Sequence, residues 1–503
     1  MKRFAAVLIA ALSAFAACAE NETGGGRLFN AESYNGLAFA GEEKAVNEPL
    51  EIPVKTKAEP GEETPKTAEP PEPGKETPKT AEPPEPEPPV PETSESETPV
   101  PETSESETSE PETSVLEPSP PPEISVSPSA YGALNYDEVV GVWISYIELS
   151  GILTGKSEAR FRQSYGKMMD DCRSIGINTV YVHLRPFGDA LYKSGYYPWS
   201  KYASGEVGVE PGFDPLEVML EETHKRGISF HGWLNPMRIN SAADIEKVSE
   251  GYPTGKWYGD DEKRDKYIVR SGDYWYLNPA YGEVVELIGN GAAEIAANYD
   301  VDGIHIDDYF YPVTDSGFDS AAFNASSFAS LEGFRLYNCN NMVKTLYSAT
   351  KKGNPSALFG ISPQGSIENN YNLMYADVEK WCKSTGFADY IAPQVYFGFE
   401  NSAQPYVRCI NQWQEMANGS DVKLIAGLAV YKIGKADVWA GAGSEEWLNS
   451  EQILKRQIEA AKKLENYGGA AFYSYNYLFN PAHLTPAIKA EIEAFKPIIR
   501  GNP

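Results

Sequence analysis

From Val139 onward the chain alternates short, β-rich apolar runs with longer stretches in which apolar residues recur every three to four positions. Eight runs read as strands, at residues 139–147, 177–186, 228–236, 301–310, 357–364, 389–397, 423–431 and 469–477. They are apolar enough to be covered on their outer face, as parallel strands are. Each precedes a helical pattern. The first helical stretch puts Phe161, Tyr165, Met168, Met169, Cys172 and Ile175 on one stripe and stops at Gly176, where a left-handed glycine closes a helix. Strand then helix, eight times over, predicts an α/β fold of the (β/α)8 TIM-barrel type. An open doubly wound sheet would carry a Gly-rich phosphate loop after the first strand, and none is present.

Before Val139 this pattern is missing. Residues 41–128 hold 22 prolines, 23 glutamates and 6 lysines without one aromatic side chain, while all nine tryptophans lie beyond them. ETPKTAEPPEP begins at Glu63 and again at Glu76, and PETSESET begins at Pro91 and again at Pro101. Such a segment cannot bury enough apolar area to offset its ordering entropy. A disordered Pro/Glu/Thr-rich linker is therefore expected over residues 20–134, ahead of a barrel domain at 135–500. The linker region 41–128 carries 17 of the chain's 29 net negative charges. A single 500-residue globule is excluded, and so is nucleic-acid binding through bulk positive charge. The charge left on the barrel suits a neutral or weakly charged partner better than a polyanion.

Residues 1–19 read as an export signal: Lys2 and Arg3 precede an apolar or small run from Ala5 to Ala17 that is too short to span a bilayer. Ala17-Cys18-Ala19 fits ordinary signal cleavage, whereas Phe15-Ala16-Ala17-Cys18 resembles a lipobox. Lipidation at Cys18 is preferred, because the cysteine ends the apolar run and a long tether follows it. The expectation is an exported protein anchored to the membrane through its lipidated N-terminus. Cys172, Cys339, Cys382 and Cys409 are dispersed on predicted helices and read as small buried hydrophobes. No Cys-x-x-Cys or His-rich spacing marks a metal, and nothing calls for a cofactor.

In a TIM barrel, chemistry gathers at the C-terminal strand ends. Those ends hold Glu148; Arg185 and Asp189; Asn235 and Arg238; Asp307, Asp308 and Tyr309; Gln364 and Glu368; Gln394 and Tyr396; Tyr431 and Lys432; and Tyr475. Asp307 and Asp308 form the strongest pair, since neighbouring carboxyls in a desolvated mouth have pKa values pulled apart. The acid of a two-carboxyl mechanism is open among Asp308, Glu148 and Asp189. About forty residues after the third strand contain Tyr252, Trp257, Tyr258, Tyr267, Tyr274, Trp275 and Tyr276. They could wall a sugar cleft or form the core of a small subdomain. Trp233 and Trp275 join the substrate-binding candidates. His183, His231 and His305 fall on strands two to four; a hydrogen-bonded interior layer is favoured over a metal site.

The segments VHLRPFGDALYKSGYYPWS (182–200), FHGWLNPMR (230–238), DGIHIDDYFYP (302–312), FGISPQG (359–365), DYIAPQVYF (389–397) and LAVYKIG (428–434) together resemble the glycoside-hydrolase-like family 10. The resemblance spans the whole barrel. It implies an exported TIM-barrel glycosidase acting on a polysaccharide, with peptidoglycan glycan strands stripped of stem peptides as the leading substrate. It also implies that Arg185, Asp189, Asn235, Asp307, Asp308, Tyr309, Gln394, Tyr396 and Lys432 belong to the site. In a two-carboxyl mechanism Asp307 is then the expected nucleophile or general base, held by Arg185 and Tyr309. Phe397 and Gln364 depart from the family's usual residues. Against the chitinase signature, His305 and Tyr309 replace two required acids, which argues against substrate-assisted chemistry. A glycan-binding barrel without catalysis is the alternative.

Overall fold

The computed structural model describes residues 125–499; the proposed signal, Cys18 and most of the linker lie outside them. Eight parallel strands close a barrel in the order β1 (Val139–Ile144), β2 (Thr179–Arg185), β3 (Ser229–Leu234), β7 (Gly303–Ile306), β8 (Leu358–Ile361), β9 (Tyr390–Ile391), β10 (Lys423–Ala429) and β11 (Tyr467–Tyr473), which pairs back onto β1. All eight expected strands form, several with earlier ends. β7 stops at Ile306, so Asp307 and Asp308 stand beyond the ladder. β9 is two residues long because Pro393 has no N–H to continue it.

Helices cover the outside. The one at Glu158–Ile175 buries the stripe from Phe161 to Ile175, and Gly176 closes it at φ 98°. Cys172, Cys339, Cys382 and Cys409 are all free and buried. Among the described residues no helix is long and apolar enough to cross a membrane.

The stretch after β3 is a subdomain and not an irregular wall. Its strands β4 (Arg238–Ser241), β5 (Ile268–Ser271) and β6 (Tyr274–Leu277) form an antiparallel sheet in the order β4-β6-β5, with a helix at Pro253–Gly259. Trp257, Trp275 and Tyr276 are buried in its core.

Inside the barrel, alternate positions bring Trp143, Tyr181, Trp233, Tyr390, Ile425 and Ala471 together. A Cβ on Gly360 would overlap the Tyr390 ring, so this strand must carry glycine where the tyrosine crosses. Two of the three interior histidines form one directed chain. Trp143 Nε1–H can only donate, and it reaches His305 Nε2 at 3.1 Å. His305 Nδ1 therefore carries the proton and donates to the Tyr390 hydroxyl at 3.0 Å. Tyr390 then donates to His231 Nδ1 at 2.8 Å, leaving His231 Nε2–H to donate to Asn135 Oδ1 at 3.1 Å. Burial lowers both histidines, His231 to about 4 and His305 well below its usual value, in keeping with neutral rings.

Asn135 belongs to a segment that closes the barrel's lower end. Ser129 N–H donates to Gly353 O at 2.7 Å, and the Tyr131 hydroxyl donates to Asp302 Oδ1 at 2.8 Å. The barrel unit thus starts before the 134/135 boundary read from composition. Asp302 is a fully buried acceptor for Tyr131, Leu134, His224 and Phe230.

Candidate active site

Asp307 and Asp308 lie just past β7, only 3% and 2% exposed. Asp307 turns back toward the barrel: its Oδ2 accepts from Trp233 Nε1–H at 2.9 Å, and its Oδ1 accepts from the Tyr309 N–H at 3.4 Å. Burial, then the charge of Asp308, pushes Asp307 well above the usual carboxylate range, while Arg238 and Trp233 oppose the rise. Asp308 turns the other way. It is raised by burial, with Gln364 and Gln394 pulling it back, and its Oδ2 has no protein hydrogen-bond partner. Two adjacent carboxyls so placed titrate as a pair and retain a proton at pH values where an exposed carboxyl is ionised.

Asp308 lines a cleft of about 530 Å³ whose walls include Gln364, Gln394, Tyr396, Phe397, Tyr431, Lys432, Asp437, Trp439 and Tyr477. The two sequence departures, Gln364 and Phe397, both face it. Tyr396 and Tyr431, which line it, form one aromatic wall backed by contacts to the Tyr473 ring, with centroids 5.9–6.1 Å apart. Lys432 ties the wall together, donating to Tyr396 O at 2.8 Å and pairing with Asp437 at 2.7 Å. Trp439 is 58% exposed at the rim.

Several sequence candidates stand elsewhere. The pairing of β2 with β3 shifts register between His183 and Arg185, which turns Arg185 out of the barrel. Its guanidinium lies 4.4 Å from the Tyr197 ring, against Gly291 of the helix Gly282–Asn298. Arg185 therefore does not hold Asp307. Arg238 takes that place from the start of β4, 3.8 Å above the Tyr309 ring and 4.4 Å from that of Phe187.

Glu148 accepts from the N–H groups of Ser145 and Asn476 and from the Ser474 hydroxyl. It clamps the ends of β1 and β11 together and lines neither cavity. Asp189 is buried beside a separate hollow of about 30 Å³, accepting from the Phe187 N–H. Burial raises the pKa of both acids. Asn235 donates to Pro186 O at 2.7 Å and fixes the strand-end turn. Trp275 packs edge-on to Tyr258 in the subdomain core, so it offers no stacking face to the main cleft.

Asp437, Lys435 and Trp439, in the loop after β10, went unmarked in the sequence reading. A tryptophan in a stretch otherwise rich in Gly, Ala and Lys was the available signal.

The family model for glycosyl hydrolase-like 10 matches residues 138–442, well over half of the chain. The chain belongs to this family. It is 33% identical over 361 residues to the glycosyl hydrolase YngK of Bacillus subtilis, covering 67% of this chain and 68% of that protein. It is 29% identical over 376 residues to the glycosyl hydrolase DigH of Escherichia coli K12, covering 68% of this chain and 84% of that protein. Among solved structures, the glycoside hydrolase domain of PgaB from Bordetella bronchiseptica aligns with a TM-score of 0.46 at 11% identity, over 73% of this chain and 100% of that domain.

Proposed function

We propose that this protein is an exported glycoside hydrolase that cleaves glycan strands of peptidoglycan at the cell envelope. The reading rests on one observation above all: Asp308, next to the equally buried Asp307, lines a cleft walled by aromatic rings, and its Oδ2 accepts no hydrogen bond from the protein. Breaking a glycosidic bond requires a proton on the leaving oxygen at a pH where ordinary carboxyls are ionised. Asp307 is held the further above the usual range of the two, by burial and by the charge of Asp308, and it does not line the cleft. Asp308, raised by burial and lining the cleft, is the general acid, and Asp307 is its positioning partner. The second carboxyl of the mechanism is Asp437, the other acid lining the cleft. Ring faces of Tyr431, Tyr477 and Trp439 suit the apolar faces of sugars. Export and anchoring rest on residues 1–19 and Cys18, and the family relationship supports glycan chemistry in general.

The test is product analysis by mass spectrometry after incubating the purified chain with stripped peptidoglycan, peptide-bearing peptidoglycan and other polysaccharides. Cleaved strands from wild type, with loss of at least ~10³-fold in Asp308→Asn but retained glycan binding, are expected for removal of an essential acid. Binding without product in wild type would make the barrel a glycan-binding module.

A further inference from the structure

Four charged side chains line the cleft: Asp308, Lys432, Lys435 and Asp437. Lys432 and Asp437 neutralise one another at 2.7 Å, and the lysine's remaining reach is used on Tyr396 O. Lys435 is different. It is exposed, its ammonium sits 5.3 Å from the centroid of the Tyr477 ring, and no carboxylate among the described residues pairs with it. In a chain of formal charge −29, this is a local cation set on an aromatic face inside the glycan cleft.

That combination is selective. The overall negative charge of the protein disfavours a dense polyanion, whereas one ammonium at short range attracts a single carboxylate. Tyr477 orients the ammonium by a cation–π contact, and Trp439 offers a wide exposed ring at the same rim. A ligand satisfying both is a sugar unit with an apolar ring face and one free carboxyl group.

We infer that Lys435 is a specificity-determining residue that selects glycan units bearing a free carboxylate, seated between Lys435 and the aromatic rim. This deepens the proposed function by naming the chemical class its cleft prefers, and it rests on that reading for the cleft being a glycan site. The carboxylate could be the lactyl ether of stripped peptidoglycan or the acid group of a uronate.

The experiment measures binding and turnover separately with the whole chain. Titration calorimetry compares stripped peptidoglycan oligosaccharides, the same oligosaccharides with the carboxyl reduced to an alcohol, a uronate-containing oligosaccharide and neutral chitooligosaccharides. Wild type should bind at least one carboxylate-bearing ligand about 5-fold more tightly than its neutral counterpart, the size expected for a partly exposed ion pair. Lys435→Gln should erase that preference and Lys435→Arg should retain most of it, with Tm checking that both variants fold. The carboxylate ligand whose preference disappears in Lys435→Gln identifies the source.

Equal binding of charged and neutral ligands, a preference that survives Lys435→Gln, or no binding of any ligand overturns the inference. Lys435-dependent binding without product would sustain the inference and remove the hydrolase reading. Product formed equally from charged and neutral glycans would do the reverse.

Discussion

The indole N–H of Trp233 donates to Oδ2 of Asp307 at 2.9 Å, and the His183 ring covers that indole from 3.8 Å, within 7° of parallel. The barrel interior thus fixes the acid that lies beyond it. Packing at β2 and β3 sets the direction of a donor that opposes the rise that burial and the charge of Asp308 impose on Asp307. Core and site are one construction here.

Replacing Trp233 with Phe keeps an aromatic face for His183 and removes the donor. A hydrogen bond to a charged group contributes about 1.5–3 kcal/mol, so kcat should fall on the order of 10- to 100-fold. Trp233 lowers the pKa of Asp307, and its loss lets that pKa rise. The acid limb of the pH–rate profile should therefore move to higher pH. An unshifted limb would show that Asp307 is not the group set by Trp233.

Asp308→Asn should stabilise the fold while abolishing turnover. The folded-state pKa of Asp308 is raised, so the folded protein holds this proton where the unfolded chain has lost it. Stability linked to the group is complete below the unfolded carboxylate range and declines as pH rises through the folded pKa. Asn cannot ionise and escapes that decline. Thermal melts should show little difference near pH 4 and a higher Tm for the variant at pH 8, by roughly 2 °C or more. A lower Tm at pH 8 would contradict the assigned burial.

The eight strands were legible because apolar runs bounded by helical periodicity survive any detail of loop structure. Their exits were harder to read. Parity alone places Arg185 inside the mouth, but the register shift after His183 reverses it. Asp307 and Asp308 were recognisable as neighbours at a strand end, yet their opposite directions follow from β7 ending at Ile306. The aromatic stretch after β3 concealed three four-residue strands, too short to leave a periodic signal. Lys435, Asp437 and Trp439 needed tertiary structure: the Lys432–Asp437 pair folds their loop onto the cleft, and neither partner announces the other in sequence.

The exchange of one arginine for the other near Asp307 can be tested directly. Arg238→Met removes the cation opposing the rise of both carboxyl pKa values and should lower kcat/KM by about 10-fold or more, a loss of at least ~1.4 kcal/mol. Arg185→Met, placed between the barrel wall and an outer helix, should leave kcat/KM within about 2-fold, as an apolar replacement of a buried charge is often tolerated. Steady-state kinetics on one soluble glycan would separate them. A large loss from Arg185→Met in a protein of unchanged Tm would return Arg185 to the site.

Tyr390 stands in the middle of the Trp143–His305–Tyr390–His231–Asn135 chain, and Phe at this position keeps the ring but removes the only hydroxyl between two buried imidazoles. His305 Nδ1–H and His231 Nδ1 would each lose a partner, at about 1–3 kcal/mol per orphaned group. The variant should show a lower Tm across neutral pH. His231, lowered to about 4 by burial, contributes stability that is present above the ordinary histidine range and is lost as pH falls toward that value. Both proteins should therefore lose stability on acidification, with the variant starting lower. If Tyr390→Phe melts with wild type at pH 7, the hydroxyl is not joining the two histidines, and ring packing alone holds this layer.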